Sequence, residues 1–138
     1  MNIEVFKKTI EQWIDNKHPE INLVDIVSVR TFKTKILKEY FASVAAIRAG
    51  DEVFQIIHYN DVNFDYDYGL DEQELALHEC GHLLEHHYNI NFDMRFRPLI
   101  REIDSMSPAG LSEQDASELF AEGYRLWYCD KLSLRSKY

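Results

Sequence analysis

The chain has 138 residues, 46% of them hydrophobic, with eight Phe and eight Tyr, which suits one domain spanning 1–138 around a real apolar core. A formal net charge of -9, with no basic stripe, argues against nucleic acid or an anionic membrane surface as the main partner. The sequence carries no apolar span of ~18 residues and no signal-peptide pattern, and its two Cys stand in unrelated contexts, so the expected setting is a reducing cytoplasm.

Residues 3–16 place Ile3, Phe6, Ile10, Trp13 and Ile14 at helical spacing, and Pro19 ends that helix. The branched run 21–29 predicts a strand. Residues 34–49 predict a second helix with Ile36, Leu37, Tyr40, Phe41, Val44, Ala45 and Ile47 inward and Gly50 as its stop. Residues 53–59 read as a strand and the acidic, aromatic stretch 60–69 as a loop. Asp71 caps the next helix, with Glu74 three residues on as in a capping box. Residues 92–106 predict a short helix broken at Pro98. Ser112 and Asp115 open a last helix through Glu118, Glu122 and Trp127.

The helix that follows Asp71 holds His78-Glu79-Cys80-Gly81-His82, which fits H-E-x-x-H. Residues i and i+4 of a helix point the same way, so both imidazoles can reach one metal ion. Glu79 then lies beside the open coordination position, where it can take a proton from a bound water. The flanks Leu75-Ala76-Leu77 and Leu83-Leu84 are apolar, and three ionisable groups on a buried helix are costly unless paired or bound. Cys80 lies about 160° around the helix from His82, so it faces the core, and Cys129 reads as a packing residue.

A third ligand is expected from Glu118, with Glu122 one turn later on the same face. Glu118 would complete a His2Glu set with one position left for water, which suits Zn2+. Glu122 would accept the free ring N–H of a ligand His. An exposed acidic face would show the same spacing. Glu85 and Tyr88 stand where a metzincin has Gly and His, so that pattern fails. His86 continues the i, i+4 series, but three such residues span about 12 Å, too far for one ion. His86 and His87 are expected at the exposed end of the helix, and His58 as a structural or substrate-facing residue.

Together, His78–His82 and Glu118-Leu119-Phe120-Ala121-Glu122 resemble the gluzincin arrangement, above all the catalytic domain of the anthrax lethal factor-like peptidases, whose second motif reads Glu-aromatic-aromatic-Ala-Glu. More loosely the chain is similar to the compact ImmA/IrrE-type peptidases, which carry H-E-x-G-H and a later Glu helix. The resemblance covers residues 52–130 and implies zinc ligands His78, His82 and Glu118, general base Glu79 and a supporting Glu122. Lethal factor-like enzymes have a Tyr shortly before the Glu helix. Residues 105–112 hold none, which leaves Tyr66, Tyr68 or Tyr124 as oxyanion donors.

The fold expected is α+β, a minimal zincin: a small mixed sheet, the H-E-x-x-H helix and the Glu helix. The function expected is zinc-dependent hydrolysis of a peptide bond in a protein or peptide. The setting implied is a host-directed toxin domain or a regulatory protease of a mobile element. The alternative is a catalytically silent, zinc-stabilised structural or binding module associated with a phage or mobile element. The strand 53–59 is the expected edge for an extended peptide, and Asp61, Asp65 and Asp67 beside it would favour basic sequences.

Overall fold

A computed structural model describes residues 2–29, 42–60, 71–89 and 116–129. Among them are three helices and a three-stranded mixed sheet, an α+β arrangement. The elements run α1 (Ile3–Lys17), β1 (Asn22–Val29), β2 (Ala42–Ala49), β3 (Glu52–Asn60), α2 (Glu72–Tyr88) and α3 (Ala116–Tyr128). The expected features in 30–41, 61–70, 90–115 and 130–138 lie outside the described residues; these include the short helix near Pro98, Tyr66, Tyr68 and the acidic loop.

α1 opens at Asn2, whose side chain accepts the Glu4 N–H at 3.0 Å, and it closes at His18 because Pro19 cannot continue it. Its apolar stripe buries Phe6, Ile10 and Trp13. The Asn2 backbone N–H also donates to Glu72 Oε1 at 2.8 Å, which ties the start of α1 to the start of α2.

The sheet order is β1-β3-β2, with β1 parallel and β2 antiparallel to β3. Alternation along β3 buries Val53, Gln55, Ile57 and Tyr59 and turns Phe54, Ile56 and His58 to the other face. β1 carries a bulge between Leu23 and Asp25. The extra residue lets Leu23 and Ile26, three apart, both turn inward while Val24 is 63% exposed.

Two expectations are corrected here. Residues 42–49 are not the end of a helix but strand β2. Gly50 and Asp51 form a two-residue hairpin loop in which Gly50 alone has positive φ, at 65°, as in a type II′ turn. Pairing with β3, Val44 against Ile57 and Ile47 against Phe54, overrides the helical preference of an Ala-rich segment. In addition, residues 53–59 belong to a central strand with both sides paired, so no peptide can add to it; among the described residues the sheet edges are β1 and β2.

α2 lies between α1 and α3 and also touches β2 and β3. Asp71 caps it by accepting the Glu74 N–H at 2.8 Å, and Asn89 ends it in the left-handed conformation. Every residue from Leu75 to Leu84 is buried. A helix covered on all sides need not be amphipathic, and this one can hold polar side chains only where something answers them. No helix of the described residues is long and apolar enough to cross a membrane.

Candidate metal centre

The site forms where α2 and α3 come closest. A Cβ on Gly81 would stand 2.7 Å from Ala121 Cα and 3.2 Å from Tyr124 Cβ, so the contact needs glycine on one helix and a small residue on the other. That approach sets Glu118 and Glu122, which flank Ala121 on α3, against His78 and His82 on α2.

Glu118 receives both imidazoles. His78 Nε2 is 3.0 Å from its Oε2, and His82 Nε2 is 2.8 Å from its Oε1. The other ring nitrogens are held as well. His78 Nδ1 is 3.1 Å from Glu122 Oε2. His82 Nδ1 is 3.4 Å from Glu85 Oε2 and 3.3 Å from Ser117 Oγ, which itself donates to Glu85 Oε2 at 2.7 Å. Glu122, fully buried, has its second oxygen on Arg125 Nε, and Arg125 reaches Glu74 Oε1 at 3.7 Å.

The charges follow from these contacts. Burial opposes protonation of His78, but the bonds to Glu118 and Glu122 outweigh it and raise it to about 9. Burial likewise opposes, and Glu118 and Glu85 outweigh, at His82, which rises to about 10. Burial alone would raise Glu118 and Glu122, yet the imidazoles hold both below the usual carboxylate range. Glu79 has no such neighbour bonded to it, and burial pushes it above that range. Its Oε2 is buried with no hydrogen-bond partner among the described residues.

His78, Glu79 and His82 thus form a buried group whose ligand atoms lie within 4.8 Å of one another and could hold a metal ion. The donor set fits such an ion. In a tetrahedral zinc site, ligands at 2.0–2.1 Å are about 3.3 Å apart, close to the 3.0 and 2.8 Å between Glu118 and the two Nε2 atoms. Both Nδ1 atoms face carboxylates, which leaves both Nε2 atoms for one ion. The orphaned Glu79 oxygen lies in the same buried group, where a buried polar atom without a partner calls for a ligand or a proton.

His78, Glu79, His82, Glu118 and Glu122, all singled out from the sequence, are therefore brought together. Of the oxyanion candidates, Tyr124 is the one described, and its hydroxyl accepts the Trp13 indole N–H at 2.8 Å. His86 is not at an exposed end: it is half-buried, its Nδ1 meets Gln55 Oε1 at 3.1 Å, and burial lowers its pKa. His58 sits partly buried on the outer face of β3. Cys80 is fully buried, with its thiol pushed up by burial, and Cys129 is partly buried beside the core.

Sequence reasoning missed Glu85, Ser117, Arg125 and Gln55. The i, i+3 pairs His82–Glu85 and Glu122–Arg125 were readable as helical neighbours. Ser117 and Gln55 depend on contacts between elements, and Gln55 ties the sheet to α2 by donating to the Leu83 carbonyl at 2.9 Å.

Comparison with protein-family models, with curated proteins and with solved structures finds no match to this chain.

Proposed function

We propose that this chain is a zinc-dependent peptidase of gluzincin type, a minimal zincin in which His78, His82 and Glu118 hold Zn2+. One observation carries the reading: two imidazoles turn their Nε2 atoms to a single carboxylate while their Nδ1 atoms are held from behind, beside a buried glutamate oxygen without a partner. Zinc, when bound, would polarise the scissile carbonyl and acidify water. Glu79 takes the proton of the attacking water through Oε2 and hands it to the leaving amine. Its raised pKa brings it nearer to the operating pH, where a general base works best. Glu122 keeps His78 in the tautomer that presents Nε2. The substrate is a protein or peptide, an extended segment of which would pair with β1 or β2, and the setting is cytoplasmic.

Elemental analysis and peptide hydrolysis test this together. One divalent ion per chain is expected, with cleavage that stops on chelation and returns with zinc. A protein that is metal-free and refuses added zinc overturns it.

A second reading keeps the metal and drops the turnover: a zinc-stabilised structural or binding module of a phage or mobile element. The Trp13 indole N–H, which the Tyr124 hydroxyl accepts, ties to α1 the one oxyanion candidate among the described residues, and this favours it. Zinc binding with no cleavage of any peptide selects this reading.

A further inference from the structure

Arg125 is the one Arg or Lys buried among the described residues, at 2% exposure. Its guanidinium spans two acids from different helices. Nε faces Glu122 Oε1 on its own helix, and Nη1 lies 3.7 Å from Glu74 Oε1 on α2. Glu122 Oε2 then returns to α2 at His78 Nδ1, 3.1 Å away. Glu74 precedes His78 by about one turn, so the four side chains close a ring between the helices.

A structural purpose alone explains this ring poorly. Buried ion pairs contribute little net stability, because desolvation offsets the attraction. The helices already meet through Gly81 and Ala121 and through the apolar core. What the ring does fix is the carboxylate plane of Glu122, with one oxygen on the guanidinium and the other aimed at the imidazole. An imidazole that ligates a metal is neutral and offers Glu122 an N–H but no net charge. Arg125 is the cation left to offset a fully buried anion.

We infer that Arg125 is a positioning residue of the metal centre, holding Glu122 so that it accepts the His78 Nδ1–H and leaves Nε2 to the ion. The inference rests on the metal-binding reading above.

Zinc affinity, measured by chelator competition on the full chain, tests it, together with the visible bands of the cobalt-loaded protein. Arg125→Met is expected to weaken zinc binding about 10-fold, at the low end of losses seen when such supporting groups are removed. Arg125→Lys, which keeps the charge but not the planar fork that spans Glu122 and Glu74, should bind zinc more tightly than Arg125→Met yet more weakly than the parent. The decisive arm is Glu122→Gln with and without Arg125→Met. If Arg125 acts through Glu122, the double variant binds zinc as the Glu122→Gln protein does. The double variant also removes the buried anion, so it is the form expected to fold should Arg125→Met alone not do so. Unchanged affinity in Arg125→Met, or a further loss in the double variant, overturns the inference. A parent that binds no zinc overturns instead the reading on which it rests.

Discussion

The two flanks of α2 are built on opposite principles. Toward α1 and the sheet the contact is apolar: Phe6, Ile10 and Trp13 join Ala76, Cys80, Leu83 and Ile57 in one buried cluster. Toward α3 the contact is charged, with two imidazoles, a guanidinium and several carboxylates around Gly81 and Ala121. Each large apolar side chain on the first flank contributes roughly 1.5–3 kcal/mol by leaving water. On the second flank, desolvation offsets most of the attraction between charges. The first flank therefore carries the fold, and it can hold in place a cluster that would not assemble by its own energy. The candidate metal centre sits where the helix is least stabilised by burial.

The sharpest break between the flanks is expected from Glu79→Gln. Glu79 accepts no hydrogen bond on Oε2, and in the proposed site it serves as base while His78, His82 and Glu118 hold the ion. Hydrolysis should fall by about 10²–10⁴-fold, the usual worth of a general base, with melting temperature and zinc content unchanged. Loss of zinc from this variant would make Glu79 a ligand rather than a base.

Removing the ion, or a ligand to it, comes next. His82→Ala or Glu118→Ala should lose the metal. Chelation of the parent should lower stability by about 4 kcal/mol relative to zinc at a thousand times its dissociation constant. The size of the effect should depend on pH. Without metal, His78 and His82 are raised from 6.5 to about 9 and about 10, so their stabilising contacts are fully present below pH 6.5 and are lost as pH rises through 9 to 10. Glu118 and Glu122 are lowered from 4.5, so their share is present above pH 4.5 and is lost on acidification. With metal, each imidazole must give up a proton, so binding should release about two protons and strengthen from pH 6.5 toward 9. Melting curves with and without zinc across that range would show the gap widening. A gap that narrows as pH rises would reverse the assignment.

On the apolar flank, Ile10→Ala should destabilise the fold by about 2–5 kcal/mol through lost burial and a cavity. Ile10 is fully buried in the apolar cluster, so zinc affinity of the folded fraction should not change. Calorimetry paired with metal titration separates the two quantities. A large drop in affinity would mean that the flanks are coupled more tightly than their chemistry suggests.

The same contrast explains what could be read from the sequence. α1, β1, β3, α2 and α3 were legible because apolar or branched runs were bounded by end signals such as Pro19 and Asp71. His78, His82, Glu118 and Glu122 were legible because helical spacing fixes which side chains share a face. β2 was not, because Ala42-Ser43-Val44-Ala45-Ala46-Ile47-Arg48-Ala49 favours a helix locally and becomes a strand only through β3. The Gly50-Asp51 pair between two apolar runs was the hairpin signal that competed with the helix-stop reading. The central place of β3 was not written in its own residues at all, since strand order is set by chain topology. The Glu85–Ser117 and Gln55–His86 contacts likewise join elements far apart in the chain.

The smallest expected change in stability tests what joins the flanks. Gly81→Ala adds one methyl group at the point where α2 meets α3, 2.7 Å from Ala121 Cα. In a free helix the change would help by about 1 kcal/mol, because Ala is the better helix former. Here backbone stands in the way, and overpacking of this kind costs about 1–3 kcal/mol. The two effects oppose, so net destabilisation should be modest. The geometric effect should not be. A few tenths of an ångström between the helices moves Glu118 away from both Nε2 atoms, which now sit 3.0 and 2.8 Å from it. Zinc affinity should therefore fall by more than the loss of stability alone would suggest, and the visible bands of the cobalt form should shift, while contacts between α1 and α2 stay as they are. If Gly81→Ala is instead more stable than the parent and binds zinc as tightly, then α3 can retreat without disturbing the site, and the close approach at Gly81 is not what sets the ligand geometry.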